Sequence, residues 1–176
     1  MDDPFSYARA NPFQRAMRRL AASGPGAWVF ARVLHHVDRP VHRLTGGRAT
    51  FGSLVSGLPV VMLTTTGART GKPRTVPVLG LPTADGLAVI ASNWGQSRPP
   101  AWEHNLRADP AASIAIGRAT RRVRAVPVEG DHRERIWREG LRIYPGWSQY
   151  ERRAGERRIP VFVLEPVGAP VSSDPS

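Results

Sequence analysis

The sequence predicts an α+β fold, a small antiparallel β-barrel with helices packed on it, preceded by a helical extension. Three observations carry this reading. From Pro59 onwards the chain breaks into short β-branched runs punctuated by Gly, Pro and Asp. These runs follow one another as hairpins, without the repeated strand–helix–strand units that build a parallel sheet. Helical spacing of apolar residues separates the hairpins and also precedes them. A chain of 176 residues suits one domain with a real core, which at this size buries about 70% of its unfolded surface.

Residues 1–50 read as the helical extension. Asn11-Pro12 is a good N-cap and first-turn pair, and Phe13, Met17 and Leu20 follow at helical spacing among Arg15, Arg18 and Arg19. A basic amphipathic helix of this kind covers the open side of a sheet or makes peripheral contact with a membrane surface, and the cover is the favoured reading. Ser23-Gly24-Pro25-Gly26 breaks it. Trp28, Val29, Val33 and Val37 then suggest a second helix stopped near Pro40, and Gly46-Gly47 ends the region.

Residues 51–167 hold the barrel. Val60–Thr65, Arg74–Leu79 and Leu87–Ser92 read as strands, the last two joined across the turn Thr83-Ala84-Asp85-Gly86. Pro100–Arg107 is a short helix ended by Asp109-Pro110. Ala112–Ile116 and Arg121–Val128 form another hairpin around Gly117-Arg118. Glu129–Ile143 is helical, with Ile136, Trp137 and Leu141 on one side, and Val161–Leu164 is the final strand. Residues 168–176 read as a disordered tail.

Composition excludes several chemistries. Without cysteine there is no disulfide, thiolate metal site or thiol nucleophile, and the five histidines lack any HExxH spacing, so no metal is expected. No apolar run of membrane-spanning length and no signal peptide appears, which predicts a cytoplasmic protein. The formal net charge of +11 invites a nucleic-acid reading. That charge is spread along the chain and is almost all arginine, Lys72 being the only lysine, which favours an anionic small molecule over nucleic acid.

The stretch TTTGARTGKPRTVPV, residues 64–78, looks like a phosphate seat. It is not a nucleotide P-loop: Gly67 and Gly71 are too close, Pro73 stands where the magnesium-binding hydroxyl would be, and a strand follows instead of a helix. A turn bracketed by these glycines predicts backbone N–H groups converging on an anion, with Arg69 and Arg74 adding forked, charge-assisted hydrogen bonds.

Three further segments complete a pattern: Ala91-Ser92-Asn93-Trp94-Gly95-Gln96 with Pro99–Leu106 directly after it, Tyr144-Pro145-Gly146-Trp147-Ser148-Gln149-Tyr150, and Arg158-Ile159-Pro160-Val161. In this order and spacing, over roughly residues 40–166, they resemble the deazaflavin-dependent nitroreductase family of oxidoreductases, which use coenzyme F420, an 8-hydroxy-5-deazaflavin. The resemblance implies a split β-barrel similar to that of flavin-nucleotide-binding oxidoreductases. It places the deazaflavin ring in a groove of the barrel, with the phosphodiester and polyglutamate tail leading outwards.

Carried over residue by residue, the resemblance assigns Ala68, Arg69, Thr70 and Lys72 of the loop to the cofactor. It runs Arg74, Thr75, Val76, Pro77, Val78 and Leu79 beneath the ring. Ile90, Ala91, Ser92 and Asn93 follow, and Ala101, Trp102, Glu103, His104 and Asn105 close the seat. The chain departs from the family at Ala68, where a second basic residue is common, at Asn93-Trp94, and at Glu103, where an aromatic is common. In the acceptor pocket Leu79 and Trp147 replace tyrosines while Tyr144 and Tyr150 are kept, so nitroimidazole reduction is not implied. The expected activity is hydride transfer from the reduced deazaflavin to a small electron-poor acceptor: a quinone, an activated alkene or a nitro compound. Tyr150 is the first candidate for the proton donor and Tyr144 the second, with Ser92 bonded to the ring or the acceptor. The alternatives are an enzyme of the same barrel that uses flavin mononucleotide (FMN) and a non-catalytic deazaflavin-binding protein. Trp102, Trp137 and Tyr144 lie on expected helices, and Trp137 reads as core.

Overall fold

The computed structural model describes residues 60–116 and 119–168. The helices expected within residues 1–50, with any membrane contact they make, and the expected tail, Gly168 apart, lie outside those residues. Within them the chain runs β1 (Val60–Thr66), β2 (Pro73–Thr83), β3 (Gly86–Ile90), a 3₁₀ turn (Asn93–Gly95), α1 (Ala101–Ala108), β4 (Ala111–Ile116), β5 (Ala119–Val128), α2 (Gly130–Ile143), α3 (Gly146–Ala154) and β6 (Val161–Pro166). The strands close into a barrel in the order β1-β2-β3-β6-β5-β4, and every pairing is antiparallel.

Strand alternation produces two apolar cores. Val61 and Leu63 of β1, Val89 of β3, Ile114 of β4, Val123 and Ala125 of β5, and Phe162 and Leu164 of β6 fill the barrel interior. Trp102 and Leu106, one helical turn apart on α1, pack into the same cluster, and the Trp102 ring meets Phe162 edge-on at 6.2 Å. The alternate residues Leu81, Ala88, Ile90, Val161 and Val163 face outwards and are covered by Ile136, Trp137 and Ile143 of α2 and by Trp147, Tyr150 and Ala154 of α3. Each large side chain so buried stabilises the fold by about 1.5–3 kcal/mol. Trp137 is core, as its helical spacing predicts.

Three local expectations need correction. Ser92 does not extend the third strand, because β3 ends at Ile90. Tyr144 is not on a helix: it has extended backbone just past α2, with its N–H bonded to the Gly140 carbonyl. The sequence reading has no helix after Tyr144, since Pro145-Gly146 resembles a break; instead Pro145 caps α3. A proline is well tolerated at a helix start, where its missing N–H has no intrahelical partner to lose.

Candidate active site

β2 is longer than the strand beside it, and that difference opens the barrel. Its pairing with β1 runs from Val60↔Leu79 to Thr66↔Pro73, but its pairing with β3 covers only Gly80↔Val89 to Thr83↔Gly86. Among the described residues, Pro73–Leu79 therefore has a partner strand on one edge only. The chain leaves the sheet after β3 through three consecutive residues with positive φ: Asn93 at 45°, Trp94 at 58° and Gly95 at 76°. A left-handed conformation is costly for non-glycine residues, above all for one as bulky as Trp94. Gly95 is needed for space as well, since a Cβ there would lie 2.7 Å from the Tyr150 carbonyl oxygen.

The glycine-bracketed loop sits at the entry to this open edge, and its backbone is not the amide cradle the sequence predicts. The Gly67 N–H bonds the Lys72 carbonyl at 2.9 Å, the Thr70 and Gly71 N–H groups bond the Gly67 carbonyl at 3.0 and 2.8 Å, and the Lys72 N–H reaches Thr70 Oγ1 at 3.4 Å. The Ala68 N–H donates to Asn105 Oδ1 at 3.0 Å. Among the described residues, of the amides from Gly67 to Lys72 only that of Arg69 has no hydrogen-bond acceptor. Gly67 permits this tight closure, because a Cβ would stand 2.8 Å from Thr70 Oγ1. The loop's cations, Arg69, Lys72 and Arg74, all stand at exposed positions.

Asn105 joins α1 to the loop. Only 8% exposed, it accepts from Ala68 and donates Nδ2–H to Thr65 Oγ1 at 2.9 Å. On the adjoining strands Thr64 Oγ1 and Thr75 Oγ1 are 2.8 Å apart. The other residues assigned to β2 do not share one face: Val76 and Val78 pack on the interior core, and Leu79 packs on the outer one. Ile90 belongs to the outer core and Ala91 to the inner. Trp102 and Trp147 are packing residues, the first inside the barrel and the second edge-on to Tyr144 at 5.7 Å. Ala101 and His104 are exposed on α1. Asn93 is half-buried and donates Nδ2–H to the Arg98 carbonyl at 2.9 Å.

The two expected tyrosines do come together. Their hydroxyls are 2.7 Å apart, with Tyr144 4% and Tyr150 2% exposed. Trp94 meets the Tyr150 ring edge-on at 5.9 Å, and the Arg153 guanidinium lies 4.9 Å from its centroid. Burial pushes the Tyr150 phenol far above the usual tyrosine range, and the adjacent Tyr144 adds to this while Arg153 opposes it. The phenol therefore stays protonated at neutral pH, and in the bonded pair either hydroxyl can donate.

One residue escapes the sequence reading altogether. Arg157, in the segment before β6, binds the carbonyls of Ala91, Ser92 and Gln96. Nothing in Glu151–Arg158, where four of eight residues are arginine, singles it out from Arg152, Arg153 or Arg158.

The family model described as F420H(2)-dependent quinone reductase matches residues 36–166. An F420H(2)-dependent quinone reductase of Mycobacterium tuberculosis is 34% identical over 128 residues, covering 70% of this chain and 84% of that protein. A solved F420-H2 dependent reductase superposes with a TM-score of 0.56 at 35% identity, over 61% of this chain and 94% of that one. Another solved structure, described only as a domain-swapped dimer, gives a TM-score of 0.58 at 31% identity over 81% of this chain and all of that one.

The buried phenol predicts an alkaline weakness. A tyrosine pKa raised in the folded state leaves stability intact below the unfolded value of about 10 and removes it progressively above that pH, where only the unfolded chain readily loses the proton. Urea unfolding between pH 8 and 11 should show stability falling above about pH 10, and Tyr150→Phe should flatten the fall. An equal fall in the variant would assign the alkaline loss to other groups.

Proposed function

The chain belongs to the F420H(2)-dependent quinone reductase family, and from that premise we propose that it carries coenzyme F420 along the open edge of β2 and reduces a quinone. The observation that carries this reading is the coincidence of the basic loop with the half of β2 that is paired on one edge only. Arg69, Lys72 and Arg74 present exposed cations to a phosphodiester and an acidic tail. Beyond them, Pro73–Leu79 offers a strand edge with no neighbour among the described residues, which suits a flat heteroaromatic ring with polar edges. The donor set and the shape of the opening thus fit the cofactor.

Reduced coenzyme F420, when bound, supplies the hydride. The protein supplies the rest. Arg69, Lys72 and Arg74 hold the anionic end, and Asn105 fixes the loop that carries them. Ser92, at the turn after β3, is assigned a hydrogen bond to the ring or the quinone. Tyr150 Oη, backed by the Tyr144 hydroxyl, is assigned the proton that neutralises the reduced acceptor's oxygen.

Two measurements test this. A charge-assisted hydrogen bond is worth about 1.5–3 kcal/mol, so Arg74→Ala should weaken coenzyme F420 binding by roughly 10- to 100-fold without loss of fold. Lys72→Ala should cost less, because a lysine is a point charge without a planar fork. Parental affinity in both variants, or equal affinity for FMN, would move the seat elsewhere. The second is Tyr150→Phe, which removes only the hydroxyl: kcat should fall by about 10²–10⁴-fold with cofactor affinity unchanged. A silent Tyr150→Phe returns both tyrosines to packing and leaves Ser92 or water as the proton source.

A further inference from the structure

We propose that Arg157 is a positioning residue for the reduction, holding Ser92 and Asn93 at the wall of the cofactor seat by gripping the backbone of the turn that contains them. The inference rests on the reading that Ser92 and Asn93 line that seat.

Its guanidinium uses all its forks on one turn. Nη2 donates to the Ser92 carbonyl at 2.7 Å, Nη1 to Ala91 at 3.1 Å and Nε to Gln96 at 3.0 Å. The turn needs such a hold. Asn93 and Trp94 are non-glycine residues in left-handed conformation, which persists only where the surroundings over-determine it. Arg157 adds to bonds local to the turn: Ser92 N–H to the Ile90 carbonyl at 2.9 Å, Gly95 N–H to the Ser92 carbonyl at 2.9 Å, Gln96 N–H to the Asn93 carbonyl at 3.0 Å, and the Asn93 side chain to the Arg98 carbonyl at 2.9 Å.

Arg157 is itself anchored. Its N–H bonds the Ala154 carbonyl at 3.2 Å, so the residue is tied to the end of α3. Two residues on, the Ile159 carbonyl accepts from buried Arg133 Nη2 at 3.1 Å, and the Pro160 carbonyl accepts from the Ala91 N–H at 2.9 Å. On the other side stands Glu103 of α1, 5% exposed, whose Oε2 has no hydrogen-bond partner among the described residues. Partial burial works against the cationic guanidinium and lowers its pKa, and the Glu103 charge opposes that shift. One residue thus joins the turn after β3 to the end of α3, with the charge of Glu103 on α1 acting on it. The acceptors are neutral carbonyls in three directions, so the planar fork matters, and a lysine of the same charge cannot replace it.

The test is made on the full chain with Arg157→Lys and Arg157→Gln. Four quantities are read: melting temperature, affinity for oxidised coenzyme F420, kcat and KM with a water-soluble naphthoquinone, and hydrogen exchange in residues 91–98. Both variants should exchange the Gly95 and Gln96 amides faster. Both should lose about 10- to 100-fold in kcat, the cost of a misplaced wall, with a much smaller change in KM. A purely structural residue would lower the melting temperature and leave the folded fraction with parental kcat, and that result overturns the proposal. Parental exchange in the turn overturns it too. Glu103→Gln keeps the fork and removes the charge behind it, so it should shift exchange and kcat in the same direction by less. It decides the matter if neither Arg157 variant folds, with parental values counting against the role. Arg74→Ala and Ser92→Ala separate the two readings: if they weaken the cofactor site while Arg157→Lys turns over normally, only the positioning role falls; if they too behave as the parent, the seat itself is misplaced.

Discussion

The unequal length of two neighbouring strands governs the rest of this molecule. β2 runs from Pro73 to Thr83, while β3 stops at Ile90 and covers only the far end of it. An exposed strand edge is normally a hazard, because unpaired N–H and C=O groups recruit other strands. Here Pro73 and Pro77 lie in the uncovered half, each lacking an N–H, and Arg74 adds charge at its start. The edge is thereby kept from pairing while its remaining polar groups stay available to a flat ligand.

Everything around that edge serves to hold it open. The chain after β3 is turned away by left-handed residues, and Gly95 lets the turn approach the α3 backbone. Asn105 fastens α1 to both the loop and β1, and the interior packing of Trp102 and Leu106 sets where α1 can lie. α2 and α3 give the outer face its own core, so the barrel remains closed at the end where β3 does pair. The two cores share the strands between them, and a change in one is felt in the other through the pleat.

Much of this was legible in the sequence, for physical reasons that differ by element. Strands such as Val60–Thr66 and Val161–Pro166 announce themselves by β-branched runs between turn residues. α2 shows in the spacing of Ile136, Trp137 and Leu141. α3 was hidden because Pro145-Gly146 reads as a break when its role as a helix start depends on tertiary packing. The family pattern drew Ser92, Asn105, Tyr144 and Tyr150 into view, and the structure joins Asn105 to the loop and the two phenols to each other. It could not show that the loop amides bond within the loop, since Gly67 and Gly71 permit either an open cradle or a closed turn. Nor could it find Arg157, whose importance lies in three backbone carbonyls more than sixty residues away.

The most direct test of the open edge is amide hydrogen exchange of the full chain with and without oxidised coenzyme F420. If the cofactor lies along β2, its binding should slow exchange in the peptide spanning Pro73–Leu79 and in Ser92–Gln96, while α2 and the β4–β5 hairpin exchange as before. Protection confined to α2 and α3, with Pro73–Leu79 unchanged, would contradict the account and place the cofactor on the outer core.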